Sequence, residues 1–550
     1  MQQLIECVPN FSEGTNLTII NQITAEIETV TGVRLLNVDA GKATNRTVVT
    51  MVGEPKAVIE AAFRAIKKAG ELIDMRKHKG EHPRMGATDV CPLIPVANIS
   101  MEETVKYAQQ LAKRVGEELH LPVYLYEAAQ PGKQRSNLSH IRAGEYEGLA
   151  KKIVQPEWKP DYGPQVFDEK RGATVIGARD FLVAFNVNLN TTSTRRANAI
   201  AFDVREAGRN IEQNGVKINI PGSLKAVKAI GWFIQEYGIA QISINLTNTT
   251  ITPVHIAFDE ICSKADARGI RVTGSELVGL IPLKAMLDAG KYFLLKQQRS
   301  AGVSEKELIR IAIKSMGLNE LAPFKPEEKI IEYMLANKTG CKLTNLTLKD
   351  FADETASESS APGGGSVAAY IGALGVSLAT MVANLSAHKK AWDHRWKEFG
   401  DWAEKGQQYK NELLKLVDAD TEAFNQVIYA SALPKTSEEE KSLRTKAIEA
   451  ATKYAIEIPF KVMQAAHASL QVIKAMAQTG NPNSISDAGV GALCARSAVM
   501  GAFMNVRINA ANYNDKTFVQ DILAKGAALQ KETINLETEI LKLVDEKIGL

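Results

Sequence analysis

Along the first 300 residues short apolar runs alternate with stretches of helical period. QLIECVPN, VRLLNVDAG, RTVVTMVG, ATDVCPLIPV and PVYLYEA predict strands, and the spacing between them predicts helices near 16–30, 55–73 and 101–119. In 55–73 the apolar face is clear: Val58, Ala61, Ala62, Ala65 and Ile66 recur on one side, and Pro55 stands at a first-turn position. Some strands are neighbours in sequence, so the order fits an α+β sandwich with a mixed sheet better than a strict βαβα alternation. From 155 to 180 glycines, prolines and charges predict a loop or subdomain junction. A second set follows: FLVAFNVNLN, IGWFI, IAQISINL and GIRVTGSELVGLIP as strands, TRRANAIAFDVREAG and TPVHIAFDEICSKADARG as helices. Its order, strand–helix–strand–strand–helix–strand, is that of a ferredoxin-like unit. The first set reads in roughly the same way, without a sequence repeat between them.

Beyond 300 the pattern changes. SEKELIRIAIKSMGL and KPEEKIIEYML read as connecting helices. From 345 onward strand signal is almost absent, and long helical runs at 366–388, 397–430, 436–476, 484–511 and 515–546 predict a bundle. The expected architecture is α+β followed by all-α: two α/β sandwich (ferredoxin-like) subdomains, 1–180 and 181–300, a helical linker, 301–344, and a C-terminal helical bundle, 345–550.

Composition changes this picture little. A chain of 550 residues, 45% hydrophobic and 23% charged, is ordinary globular material for several domains. A net charge of +3 argues against nucleic-acid steering and leaves an anionic small-molecule site open. Cys7, Cys91, Cys262, Cys341 and Cys494 are scattered without a CxxC pair, as reduced core thiols are. The opening MQQLIECVPNFSEG lacks the basic and apolar regions of a secretion signal, so the expected compartment is the cytoplasm. VAAYIGALGVSLATMVANL, 367–385, is long enough for a bilayer but rich in Ala, Gly and Ser. It reads as a helix packed inside a soluble bundle, with no membrane span.

Candidate chemistry gathers in KHKGEHPRMGATDV. His82 precedes Pro83, which pushes its backbone towards extended geometry, and Gly80 and Gly86 permit close approach. An imidazole there is either a proton acceptor or a surface histidine among basic neighbours. His78, in the more charged part, reads as solvated. Asp39, ending VRLLNVDAG, either forms a turn or points into a cleft. The loop DYGPQVFDEKRGATVIGAR carries Tyr162 and Phe167 for stacking and Arg171 and Arg179 for carboxylates, and equally suits a linker. In the helical half, APGGGS places three glycines before a helix with Ser366 at the cap, either an anion or carbonyl site or ordinary capping. Asp418 and Asp420 lie two apart on a helix and so on different faces. No metal-ligand motif appears.

CVPNFSEG, NVDAG, GEHPRMGATDVCP, DYGP, GARDFLVAFNVNL, VREAGR, IGWFI and LVGLIPLKA, in that order over nearly all of 1–325, resemble the formiminotransferase domain of the glutamate formimidoyltransferase family. The resemblance implies transfer of a formimino group from N-formimino-L-glutamate to tetrahydrofolate. It places the general base on His82, an assisting carboxylate on Asp39, and folate contacts on Gly163, Pro164, Gln165, Val166, Phe167, Asp168, Glu169, Lys170, Arg171 and Gly172. APGGGSVAAYIGALG, MVANLS, LVDADTEAFN, ALPK and GAFMNVRIN, over about 345–550, resemble the formimidoyltetrahydrofolate cyclodeaminase family and its cyclohydrolase-like relatives. There the resemblance puts the catalytic carboxyl on Asp420, closing 5-formiminotetrahydrofolate to 5,10-methenyltetrahydrofolate with loss of ammonia. It further implies polyglutamylated folate as preferred co-substrate, no metal, and a homo-oligomer, in family members a ring-like octamer. After MVANLS the chain departs from the family, so His388, Lys389 and His394 are either anionic-tail contacts or a solvated helix end. Two alternatives stay open: a transferase fused to a methenyltetrahydrofolate cyclohydrolase-like domain, and a folate-binding scaffold with inactive sites.

Overall fold

The computed structural model describes residues 3–549 apart from 43, 81, 133–134, 214–215 and 336–341, so Cys341 lies outside the described residues. The chain forms two compact units: residues 1–286 with 313–336, and residues 287–312 with 337–550. The segment read as a linker is thus divided between them.

The first unit opens with β1 (Leu4–Cys7) and β2 (Asn10–Phe11), then α1 (Leu17–Glu28), β3 (Val33–Gly41), β4 (Arg46–Gly53), α2 (Pro55–Leu72), β5 (Thr88–Ala97), α3 (Met101–Glu118), β6 (Val123–Glu127), α4 (Leu138–Arg142), α5 (Glu145–Lys152) and β7 (Thr174–Ala178). β1 and β2 follow one another between β4 and β5, so the seven-stranded sheet runs β3, β4, β1/β2, β5, β7, β6. Only the β5–β7 and β7–β6 pairs are parallel. One face is closed by the helices. Val58, Ala61, Ala62, Ala65 and Ile66 of α2 and Leu111 and Val115 of α3 pack with Ile5, Cys7, Val49, Met51, Cys91 and Leu93 of the strands. Each large aliphatic side chain so buried contributes roughly 1.5–3 kcal/mol. The 155–180 segment holds more order than its glycines suggest, because β7 is a short, fully buried parallel strand without alternation.

A second sheet follows, from β8 (Val183–Leu189), α6 (Thr194–Val204), the hairpin β9 (Arg209–Gln213) and β10 (Val216–Ile220), β11 (Val227–Ile234), β12 (Ile239–Leu246), α7 (Val254–Asp266) and β13 (Val272–Val278). Its order is β11, β12, β8, β13, all antiparallel. Taking β1 and β2 as one strand, β3, β4, β1/β2 and β5 repeat that order. The strand–helix–strand–strand–helix–strand path therefore occurs twice, although the sequence shows no repeat.

α8 (Leu283–Lys296), α9 (Glu305–Met316), α10 (Pro326–Lys329) and α11 (Ile331–Leu335) lead onward. Besides residues 287–312, the helical unit contains α12 (Leu348–Thr355), α13 (Gly364–Ala387), α14 (Trp396–Ala432), α15 (Glu438–Thr479), α16 (Ile485–Ala510) and α17 (Lys516–Ile548). α13 packs against α14, α15 and α16. A Cβ on Gly375 would lie 2.8 Å from Gly491 O, so two backbones touch where glycine alone fits. Two segments, Gly364–Ala387 and Pro482–Ala510, are long and apolar enough to cross a bilayer, and 61% of the first one's apolar window is buried inside the bundle.

Candidate active sites

His82 is half-buried on the segment leading into β5. Its Nδ1 lies 2.8 Å from the Pro83 carbonyl. A carbonyl only accepts, so Nδ1 carries the proton and Nε2 keeps its lone pair. Burial, followed by the charges of Arg46 and Arg142, pushes its pKa down to about 3, so the free imidazole is neutral at physiological pH. Asp89, with no exposed surface, anchors those cations. Arg46 Nη1 and Arg142 Nη2 both donate to its Oδ2, Arg142 Nε donates to Oδ1 at 3.2 Å, and the Met85 N–H donates to Oδ1 at 3.1 Å. Burial alone would raise this carboxyl, but the two guanidiniums outweigh it and hold the pKa near 2. Arg46 Nε also donates to Asn10 Oδ1 at 3.2 Å.

The segment carrying His82 is held on both sides. His78 Nε2 donates to Asn45 O at 2.8 Å and its Nδ1 accepts from Arg84 Nε at 3.2 Å. His78 is thus a half-buried, neutral strut and not the solvated histidine the local charge suggested. Arg84 also reaches Glu145 (3.1 Å) and both Glu147 oxygens (2.8 and 2.7 Å) at the start of α5.

Asp39 stands elsewhere. Its Oδ2 accepts the Gly279 N–H at 3.1 Å, just beyond β13. Its charge reaches Tyr237, whose pKa is raised to about 12, chiefly by burial and then by Glu276. The carboxylate paired electrostatically with His82 is Asp89, and Asp39 sits where the two sheets of this unit meet.

The 163–172 loop is tightly strapped. Gly163 and Gly172 have φ of +81° and +72°, and a Cβ would lie 2.2 Å from Leu121 O and Met85 O respectively. Gln165 Nε2 donates to Ile153 O (2.9 Å), Phe167 packs on Tyr146 with centroids 5.5 Å apart, and Tyr146 OH donates to Glu169 O. Asp168 takes the Arg171 N–H (2.8 Å) and Nε (2.7 Å), while Arg171 Nη1 donates to Leu119 O (2.8 Å). The guanidinium expected to meet a substrate carboxylate is therefore already engaged. Pro164 is half-buried and Val166 exposed. Lys170 and Arg171 line a cavity of about 400 Å³ with Ile66, Gly70, Thr88 and Leu121.

In the helical unit Asp420, half-buried on α14, faces the start of α13. That helix begins at Gly364 with Gly363 as its cap, so Ser366 is not the cap but lies inside the first turn, fully buried. Ser366 Oγ is 2.9 Å from Val417 O and 3.1 Å from Asp420 Oδ2, so one hydroxyl proton serves two acceptors. The Ser366 backbone N–H also bonds to Asp420, and these bonds lower its pKa, but burial is the larger effect and the carboxyl is raised. A Cβ on Gly365 would fall 2.2 Å from Asp420 Oδ1: glycine leaves the room that the carboxylate occupies. Asp418 turns away, accepting from Thr344 Oγ1 at 2.7 Å.

Asp89, Arg46 and Arg142 were missed as site residues, and Ser366 was read as a cap or anion site and not as a partner of Asp420. Arg46 and Arg142 lie 43 and 53 positions from Asp89, so no local motif joins them. The usable signal was a carboxylate entering a strand that is otherwise apolar.

A charged site with a neutral imidazole, and a separate small-residue site with a raised carboxyl, define a bifunctional enzyme of acid–base group transfer. Sequence comparison makes the class specific. The family model described as "Formiminotransferase domain, N-terminal subdomain" matches residues 4–179, "Formiminotransferase domain" matches 184–336, and "Formiminotransferase-cyclodeaminase" matches 347–528. The formimidoyltransferase-cyclodeaminase of Rattus norvegicus is 43% identical over 533 residues, 97% of each chain, and that of Gallus gallus 42% over 548 residues, all of both. The glutamate formimidoyltransferase of Streptococcus pyogenes serotype M1 is 41% identical over 294 residues, 54% of this chain and 94% of its own. The chain belongs to the formimidoyltransferase-cyclodeaminase family.

Proposed function

We propose that the two reactions of this bifunctional enzyme are divided between the two units, His82 serving the transfer and Asp420 the cyclisation. The chain moves the formimino group of N-formimino-L-glutamate to tetrahydrofolate, then closes the product to 5,10-methenyltetrahydrofolate. In the first reaction N5 of tetrahydrofolate attacks the formimino carbon. His82 Nε2 takes the N5 proton as the tetrahedral adduct forms and returns it to the glutamate nitrogen as that C–N bond breaks. The observation that carries this assignment is the fixed Nδ1–H tautomer beside the Asp89 cluster. A base near 3 is weak. Burial depresses it most and the two guanidiniums add to that, and an anionic substrate bound against those cations offsets their share. In the second reaction N10 attacks the same carbon of the protonated amidine. Asp420 carries the N10 proton to the departing nitrogen, and ammonia leaves.

Both halves of the α/β unit fit a ferredoxin-like plan, which supports subdomains at 1–180 and 181–300, with the cyclodeaminase in 345–550. The 163–172 strap presents its folate contacts as a rigid surface, and Asp39 assists from the junction of the two sheets. We place the protein in the cytoplasm, with polyglutamylated folate as preferred co-substrate and no metal. Self-association is supported by an apolar stripe: Leu374, Met381 and Leu385 on α13, and Val490, Leu493, Met504 and Ile508 on α16, are each at least 40% exposed. The test is to mix purified protein with formiminoglutamate and tetrahydrofolate and follow methenyltetrahydrofolate absorbance together with ammonia. Neither absorbance nor ammonia from supplied 5-formiminotetrahydrofolate, with transfer intact, contradicts the cyclodeaminase assignment.

A further inference from the structure

Arg142, one of the two cations on Asp89, is the last residue of the five-residue helix α4. A helix this short does not fix its own end. Lys152, the last residue of α5, does it instead. Its Nζ donates to the carbonyls of Ile141 (2.7 Å), Ala143 (2.9 Å) and His140 (3.2 Å). A cation meeting the free carbonyls of a helix C-terminus is favourable. The side chain is only 8% exposed and its ammonium lies 3.7 Å from the centroid of the Trp158 ring. Among the described residues no carboxylate is bonded to this ammonium, and its hydrogen bonds go to the end of α4.

We infer that Lys152 is a positioning residue for formimidoyl transfer, acting through Arg142 and Asp89 on His82. The inference rests on the assignment of His82 as the base. Burial draws the Lys152 ammonium down to about 8, so this brace has a proton to lose in mildly alkaline solution. The titratable and charged groups on the elements around it are His140 and Arg142 on α4, Tyr124, Tyr126 and Glu127 on β6, Glu157 beside Trp158, and Glu145, Tyr146, Glu147 and Lys151 on α5 itself. Once neutral, the amine keeps two N–H donors and sets its lone pair against the remaining carbonyl, so one of the three bonds is lost and the end of α4 loosens.

The experiment measures transferase kcat/KM from pH 6 to 10 in the full-length protein, its Lys152→Met and Lys152→Arg variants, with cyclodeaminase activity followed in the same preparations. Wild-type transfer is expected to fall above about 8 while cyclisation does not. Lys152→Met should lower transfer roughly ten- to hundredfold, the scale of a misplaced group, and lose the alkaline fall. Lys152→Arg should keep transfer and move the fall to higher pH. A wild-type rate and profile in Lys152→Met overturns the inference, and so does an equal loss of both activities, which marks a general folding defect. His82→Ala is the separate control: if transfer survives it, the base assignment itself fails, whatever Lys152 does.

Discussion

On the proposed assignment the two sites move a proton with opposite materials. In the α/β unit a histidine is kept neutral by burial and two guanidiniums, themselves held by a dry carboxylate. In the helical unit a carboxyl is pushed towards neutrality by burial alone, against a serine and a helix start that oppose the push. The first construction is electrostatic and needs partners from three distant segments. The second is steric and needs glycines where a carboxylate must fit. In both, burial pushes the working group towards its uncharged form: the imidazole is neutral before substrate arrives, and the carboxyl is raised from its ordinary value.

The comparison breaks most sharply at the two central residues. Asp420→Ala should reduce ammonia release from supplied 5-formiminotetrahydrofolate by roughly 10²–10⁴-fold and leave transfer intact, and His82→Ala should do the reverse on the same scale. If one substitution stops both steps in a protein of unchanged assembly size, the two sites are not independent. Next is Gly365→Ala. Its Cβ, 2.2 Å from Asp420 Oδ1, must displace the carboxylate, and a cyclisation loss of about a hundredfold is expected with transfer unaffected. Near-normal ammonia release in that variant would refute a sterically built site. Ser366→Ala should cost less, roughly tenfold in cyclisation, since one hydroxyl bond of about 1 kcal/mol is removed while the backbone N–H remains.

The smallest effect is on acid stability. His82 has a folded pKa of about 3 against an ordinary 6.5, so below 6.5 the unfolded chain takes up a proton that the folded one refuses. Stability of the α/β unit therefore falls as pH drops from 6.5 to about 3. Asp89, about 2 when folded against 3.8, contributes stability that is present above 3.8 and lost as pH falls towards 2. Thermal unfolding of His82→Ala between pH 7 and 4 should show a flatter decline than wild type, and parallel curves would contradict the depressed value.

Much of this was legible in the sequence. The helices expected at 16–30, 55–73 and 101–119 are α1, α2 and α3, because each has a one-sided apolar face that the sheet buries. The long runs beyond 345 became α13 to α17 within a few residues of their expected ends. His82 and Asp420 stood out through motif. What pattern did not reveal was mutual dependence. Arg142 is an ordinary basic residue until α4 brings it to Asp89 on β5, and the role of Ser366 depends on α13 starting three residues earlier than its cap chemistry suggested. β7 escaped because a buried parallel strand of five residues has no alternation to read.

The interleaving of the units matters for anyone who cuts this gene. The α/β unit lends out residues 287–312 and takes the chain back for 313–336. There Ser275 Oγ donates to Met316 O (2.6 Å), Asn188 Nδ2 to Glu320 Oε2 (2.6 Å) and the Leu283 N–H to Glu332 Oε2 (2.6 Å). In the helical unit Lys291 pairs with Glu404 (2.7 Å) and Asn384 Nδ2 donates to Gly302 O (2.8 Å). An expression boundary placed straight after β13 would strip acceptors from the transferase fragment. One placed beyond 336 would strand a helix pair whose partners went with the other half. Two catalysts that look like separable cassettes are spliced by a single strap of chain, and each half-gene will need its own repair at the scar.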